Sequence, residues 1–444
     1  MSYIPNTDKD REEMLREIDI SSIENLFKDI PQEVKIKEAL KLPSPLPEAE
    51  LLKHLRDLSE RNADVDHYAS FLGGGAYNHF MPSAVKHIIS RAEFYTAYTP
   101  YQGEASQGIL QAIYEYQTMI CNLTGMDVAN ASMYDGGTAL SEAALLASRF
   151  TGRKEIIISS TVHPEYRAVL KTYANGAGLN LIEIPYTEQG LTDREKVKKS
   201  ISENSCALII QQPNFFGCLE EVFELTDIIR SKNGLFIVSV DPISLGLLKP
   251  PSEYGADIVV GEGQSLGNQL SFGGPYLGIF ACKKDFMRMM PGRIVGLTVD
   301  LEGRRGFALT LQTREQHIRR ERATSNICTN EALAALAATV YLSLIGKSGL
   351  KKVAELCLQK ANYLKSKLSE LNGFSISFSA STFKEFVVKL PMPSIELNKK
   401  LLEEKIIGGL DLEKFYPELK NHMLFCATEM ILKEDIDRLV SALR

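Results

Sequence analysis

Gly261-Glu262-Gly263-Gln264-Ser265-Leu266-Gly267-Asn268-Gln269-Leu270-Ser271-Phe272-Gly273-Gly274-Pro275 is the stretch on which the reading of this chain turns. It is polar and rich in glycine, and an apolar run stands on each side: Ala256–Gly261 (ADIVVG) before it and Tyr276–Cys282 (YLGIFAC) after it. Both runs are short and dominated by β-branched, aromatic or other apolar residues, which predicts strand, loop, strand. The second run follows the first so closely that an antiparallel pairing is expected.

Four further runs lie upstream: Glu155–Ser159 (EIIIS), Leu181–Pro185 (LIEIP), Cys206–Gln212 (CALIIQQ) and Leu235–Asp241 (LFIVSVD). Most are apolar without alternation, as expected of strands covered on both faces. Helical stretches such as His163–Tyr173 and Glu221–Lys232 separate them, so the pattern predicts an α/β domain with a mainly parallel sheet. Downstream, Thr329–Leu344 is alanine-rich and apolar nearly all round, which predicts a buried helix. Val353, Leu356, Ala361, Leu364, Leu368 and Leu371 mark the inner face of a second helix, with Gly373 placed to cap it. Phe374–Phe378 and Glu385–Leu390 read as strands of a small C-terminal α+β domain. Residues 1–62 are polar and helical in pattern; Leu51, Leu52, Leu55 and Leu58 recur at helical spacing, while Pro43, Pro45 and Pro47 mark an extended connector. The expected divisions are an N-terminal helical arm (1–62), a large α/β domain (63–328) and a small α+β domain (329–444).

The length of 444 residues suits one large and one smaller domain, because single cores rarely grow beyond about 250–300 residues. Fifty basic and 56 acidic residues are well mixed, and no basic run argues for nucleic acid. No apolar stretch approaches the roughly 20 residues of a membrane span, and Met1-Ser2-Tyr3-Ile4-Pro5-Asn6 lacks a secretory pattern. The seven cysteines (121, 206, 218, 282, 328, 357 and 426) form no Cys-x-x-Cys pair, and several sit in apolar runs. Reduced, buried thiols in a cytoplasmic protein are expected.

Several residues could carry chemistry. In Tyr134-Asp135-Gly136-Gly137-Thr138, a glycine pair leads into a helix-forming run, whose first backbone amides could hold a phosphate. The plainer alternative is an N-capped turn with Thr138 as the cap and Glu142 nearby. His163 follows the strand EIIIS at the ligand-binding edge of an open sheet, where it could stack on a flat ring or simply be solvated. Asp241 ends an apolar run and precedes Pro242; a carboxylate there is costly without a partner, unless it serves as a turn or cap residue. The tyrosines of Tyr95–Tyr101 suit a binding loop, an interface or an edge loop packed on the core. Gly73-Gly74-Gly75 lacks the G-x-G-x-x-G spacing, so no dinucleotide site is read there.

The order of phosphate turn, ring-stacking residue, aspartate and glycine-rich loop resembles that of the aminotransferase-like (fold type I) pyridoxal-phosphate enzymes. That resemblance implies that Asp241 would hold the pyridine nitrogen protonated and that the loop would carry a Schiff-base lysine. From Ala256 to Ala281 there is no lysine; Lys283 and Lys284 lie past the next strand. An amide such as that of Gln264 cannot form a Schiff base. Phe71–His79 (FLGGGAYNH), Glu93–Gln102 (EFYTAYTPYQ), Ser106–Gly108 (SQG) and Val128–Gly136 (VANASMYDG) extend the likeness. With them the chain resembles, over nearly its whole length, the glycine dehydrogenase (decarboxylating) family, the P-protein of the glycine cleavage system, and within it the lysine-less subunit 1. Aligning on Gly-Gly-Pro places Gln264 at the lysine position of subunit 2.

The resemblance implies an oxidoreductase complex, α2β2, in which subunit 2 holds the pyridoxal phosphate covalently. The complex decarboxylates glycine and passes the aminomethyl group to the lipoyl arm of the H-protein, reducing its disulfide. It implies further that Thr324, Ser325 and Asn326, in Arg319-Arg320-Glu321-Arg322-Ala323-Thr324-Ser325-Asn326-Ile327, reach the partner's cofactor phosphate. Ala323 stands where related enzymes often have glycine, and a basic solvated loop is the alternative. Tyr95, Tyr98, Tyr101 and Gln102 would shape a shared cleft, while Gly136, Gly137, Thr138, His163 and Asp241 would be vestigial; no metal is expected. Two rivals are a stand-alone scaffold or regulator, and an independent enzyme using Lys283 or Lys284.

Overall fold

The computed structural model describes residues 4–444, and these form two compact units that divide after Asn62. The first unit holds the helices Asp8–Glu17 and Glu48–Ser59, with a short 3-10 helix, Ile23–Phe27, between them. Thr7 caps the first helix reciprocally with Asp10, and Pro47 precedes the second. No described residue of this unit is buried.

In the second unit, seven strands build one sheet: β1 (Val128–Ala129), β2 (Glu155–Ser159), β3 (Asn180–Ile184), β4 (Ser205–Gln212), β5 (Leu235–Val240), β6 (Ile258–Glu262) and β7 (Gly278–Cys282). Their order across the sheet is β1-β7-β6-β5-β4-β2-β3. The five from β6 to β3 run parallel, while β7 is antiparallel to both β6 and β1. The antiparallel pairing expected around the glycine-rich loop is therefore present. Unalternating apolar strands bury both faces. Ile157, Leu208, Phe236, Val238 and Val259 pack in one cluster, and Ile156, Ile158, Ile209, Ile237 and Val260 in another with Leu140 and Ala144 of the helix Gly136–Thr151. Each fully buried aliphatic side chain contributes about 1.5–3 kcal/mol, so the sheet is the rigid frame on which the loops are hung.

The two C-terminal helices expected from the sequence lie within Ala332–Ser369 and meet at a kink at Gly346, where φ is +57°. By length and composition this helix could cross a membrane; its face from Ala334 to Leu368 is instead buried in the protein. Its C-cap is Glu370 in a right-handed conformation, not Gly373, whose φ of +82° serves the turn that follows. A four-stranded antiparallel sheet containing Glu385–Lys389 and His422–Cys426 completes the C-terminal part, with Phe386, Val388 and Phe425 packed against Leu364 and Leu368. Five of the cysteines are buried, but Cys121 is half-buried and Cys328 exposed.

Candidate functional site

The carboxyl ends of β2, β5 and β6 bring His163, Asp241 and Gln264 to one edge of the sheet, where open α/β folds bind ligands. The glycine-rich segment Gly73–His79 crosses this edge. Gln264 is 1% exposed. Its Oε1 accepts from Tyr77 N at 2.9 Å, and its Nε2 donates to Tyr77 O at 3.1 Å and Asn268 O at 2.8 Å. The amide thus clamps the backbone of Tyr77 from both sides. A cleft of about 720 Å³ opens beside it, lined in part by His79, Met81, Asn268 and Phe272.

Asp241 has a partner that the sequence reading missed. Lys384 Nζ lies 2.8 Å from Asp241 Oδ2, while Asp241 Oδ1 accepts from Ile243 N. Lys384 is fully buried, 3.4 Å from the centroid of the Tyr77 ring and 3.1 Å from His79 Nε2. Burial is the largest effect and opposes the ammonium charge, but Asp241 together with Cys426 and Cys357 holds the pKa above the ordinary lysine value. His79 Nδ1 faces Glu429 Oε2 at 2.7 Å. Burial opposes the charge of Glu429, but His79 and the backbone hydrogen bond from Phe80 together draw it down to about 2. Tyr77 donates its hydroxyl to Glu385 Oε2 at 2.8 Å, and Gly74 N donates to Glu385 Oε1 at 2.7 Å; burial pushes Glu385 up to about 7. His79, Glu429 and Cys357 lie close enough together to share a metal ion. Both ring nitrogens of His79 are already engaged, with Glu429 and with Lys384.

The glycine pair does begin a helix, Gly136–Thr151, but Asp135 is the N-cap rather than Thr138. Asp135 Oδ1 accepts from Thr138 N at 2.7 Å, and Thr138 Oγ1 accepts from Asp135 N at 3.2 Å. The cap falls one turn earlier because Asp135 is extended and reaches the third helical amide, whereas Thr138 is already helical. Gly136 N donates to Glu262 Oε2 at 3.1 Å. Glu262 Oε1 also accepts from Leu277 N and Gln264 N, and burial pushes this carboxyl up to about 8. His163 caps the helix Pro164–Ala177 through Nδ1, bonds Gly74 O through Nε2 at 2.8 Å, and stacks on Tyr166 with centroids 4.4 Å apart. Burial lowers its pKa.

Pyridoxal phosphate would need an amine at position 264, a free carboxylate at 241 and free amides at the helix start. The chain offers a saturated amide, a carboxylate paired with Lys384, and amides bound by Glu262 and Asp135. Its own residues do not fit the group. Lys283 pairs with Asp257 at 2.5 Å, and Lys284 N donates to Asp127. Asp257 precedes β6, so these lysines stand at the amino edge of the parallel strands, opposite Gln264. That placement removes the reading in which either lysine serves the site.

The remaining expected residues gather elsewhere. Tyr95, Tyr98 and Tyr101 are 57%, 85% and 51% exposed, and Gln102 is also exposed. Arg293 stacks over Tyr101 at 5.6 Å and bonds Cys328 O at 2.6 Å, joining the tyrosine loop to the segment after Thr324. Cys328 N donates to Tyr134 Oη, which sets that segment beside the start of the helix Gly136–Thr151. Thr324 and Ser325 are half-buried and Asn326 exposed. The residues missed from sequence (Tyr77, His79, Glu262, Lys384, Glu385 and Glu429) come from four separate segments. The one signal was Lys384-Glu385, two charges opening an apolar strand.

The family model described as glycine cleavage system P-protein matches residues 1–443. The chain is 55% identical to the probable glycine dehydrogenase (decarboxylating) subunit 1 of Desulforamulus reducens and 55% identical to that of Carboxydothermus hydrogenoformans, covering all of this chain and 99% of each relative. Among solved structures it resembles glycine decarboxylase (P-protein) of the glycine cleavage system in inhibitor-bound form, with TM-score 0.90, 45% identity and coverage of 100% of this chain and 99% of that one. A sphingosine-1-phosphate lyase of Burkholderia pseudomallei, 14% identical at TM-score 0.67 over 93% of each chain, shares the fold alone. The architecture is that of the fold type I pyridoxal-phosphate enzymes, and the chain belongs to the glycine cleavage system P-protein family.

Proposed function

We propose that this chain is the non-lysine subunit of a heteromeric glycine decarboxylase, and that it supports a reaction whose covalent chemistry belongs to its partner. The observation that carries the reading is Gln264, buried, fully hydrogen-bonded and standing in the loop where the fold places its lysine. The partner is a homologous, lysine-bearing subunit that holds pyridoxal phosphate, and the assembly is α2β2 in the cytoplasm. Glycine is its substrate, and the lipoylated H-protein receives the aminomethyl group. Within that assembly Thr324, Ser325 and Asn326 complete the partner's phosphate site, and Tyr95, Tyr98, Tyr101 and Gln102 shape the shared cleft. The exposed tyrosines favour this role, since Tyr supplies apolar area with a polar tip at interfaces. So does the N-terminal unit, in which fifteen large apolar side chains from Met14 to Leu58 are exposed and no described residue is buried. The scaffold-only alternative has no support in a full-length likeness of 55% to chains named as dehydrogenase subunits.

Reconstitution tests the proposal. The chain alone is expected to trap no pyridoxal phosphate on borohydride treatment and to show no glycine–bicarbonate exchange. Mixing with the lysine-bearing subunit should give activity above that of the partner alone. A trapped adduct in the isolated chain, or full activity of the partner without it, would overturn the reading.

A further inference from the structure

We propose that the chain carries its own substitute for the cofactor: the Lys384 ammonium occupies Asp241, so that restoring a lysine at position 264 does not by itself restore pyridoxal-phosphate binding. This inference rests on the reading of the chain as the lysine-less subunit and adds to it, because a missing lysine alone would leave the rest of the site open.

Three observations carry it. In this fold the aspartate pairs with a ring N–H cation, and here it pairs with another N–H cation, 2.8 Å away. The ammonium has three recipients for its three protons: Asp241 Oδ2, His79 Nε2 and the face of Tyr77. It is fully buried, so a ring that took Asp241 would leave the ammonium without its hydrogen-bonded counter-ion, a loss on the order of a hundredfold or more in affinity. Finally, at the helix start that would receive a phosphate, Gly136 N already donates to the buried Glu262 carboxyl, so an anion there must first displace that hydrogen bond.

The arrangement also has a mechanical consequence. Lys384 stands at the head of the strand Glu385–Lys389, Asp241 follows β5, and Tyr77 and His79 belong to the glycine-rich segment. One ammonium therefore pins three separate parts of the chain, a task a dissociable cofactor would perform only when bound.

The test compares the full chain with its Gln264→Lys, Lys384→Met and Gln264→Lys/Lys384→Met variants. Each is incubated with pyridoxal phosphate, treated with borohydride and mapped by peptide mass spectrometry, with circular dichroism as a check of folding. The double variant is expected to trap cofactor at position 264 at a concentration at least tenfold lower than Gln264→Lys does. In the unaltered chain, reductive methylation should leave Lys384 unmodified while exposed Lys351 reacts. Equal trapping by Gln264→Lys and the double variant would overturn the proposal, as would a folded double variant that gains nothing. Methylation of Lys384 at the rate of Lys351 would do the same, and this arm decides should the double variant not fold. A trapped adduct in the unaltered chain would instead sink the functional reading, so the two failures are distinguishable.

Discussion

The side-chain amide of Gln264 makes all its hydrogen bonds to backbone: both polar groups of Tyr77 and the carbonyl of Asn268. Replacing it with the similarly sized Leu leaves these groups buried and unmatched, at about 1–3 kcal/mol each. Gln264→Leu should therefore lose about 3 kcal/mol or more in urea unfolding. Glu262 makes a pH prediction. Burial raises its folded-state pKa from the ordinary 4.5 to about 8. Between those values the folded chain keeps a proton that the unfolded chain has lost, so this group costs stability as pH rises through that window. Glu262→Gln should flatten the slope of unfolding free energy against pH between about 4.5 and 8; an unchanged slope would show that the carboxyl is ionised throughout.

Among the elements, the helix Gly136–Thr151 shows how a phosphate turn became a closed one. Asp135 and Thr138 cap it reciprocally, and Tyr166 Oη lies 2.6 Å from where a Cβ on Gly136 would stand. Asp135→Ala should cost about 1 kcal/mol by loss of the cap, and Asp135→Ser should recover most of it. Gly136→Ala should cost more than Asp135→Ala in the same denaturation series, because Tyr166 is itself stacked on His163 and cannot easily withdraw. Element types were legible because the strands run apolar without alternation and the loop is polar. The cap was misplaced because Asp135 and Thr138 are both good capping residues, and only backbone conformation separates them.

At the scale of the whole molecule, the buried clusters belong to the unit from Ala63, and no described residue of the first unit is buried. In the assembly proposed above, Thr324→Ala should weaken retention of the partner's cofactor, measured by its release on dilution of the complex. Retention equal to that of the unaltered complex would remove Thr324 from the shared site. Removal of residues 1–62 should leave the sheet unit folded, since its core clusters draw no residue from them. It should nonetheless reduce co-purification with the lysine-bearing subunit, whose surface would cover the exposed leucines of Glu48–Ser59.

The sequence by itself determined the sheet, the antiparallel return after the glycine-rich loop, the family and the absence of a lysine at position 264, because each is written in contiguous residues. Periodicity and local motifs need no knowledge of what lies across the fold. Only the tertiary structure decided what fills the site. Asp241 and Lys384 are separated by more than a hundred residues, as are Gln264 and Tyr77, and Glu262 and Gly136. Such pairings are set by packing of the parallel strands and the C-terminal antiparallel sheet, and a buried charge finds its partner in space rather than along the chain. That is why Asp241 reads from sequence as a relic awaiting a ring and proves in the structure to be in use.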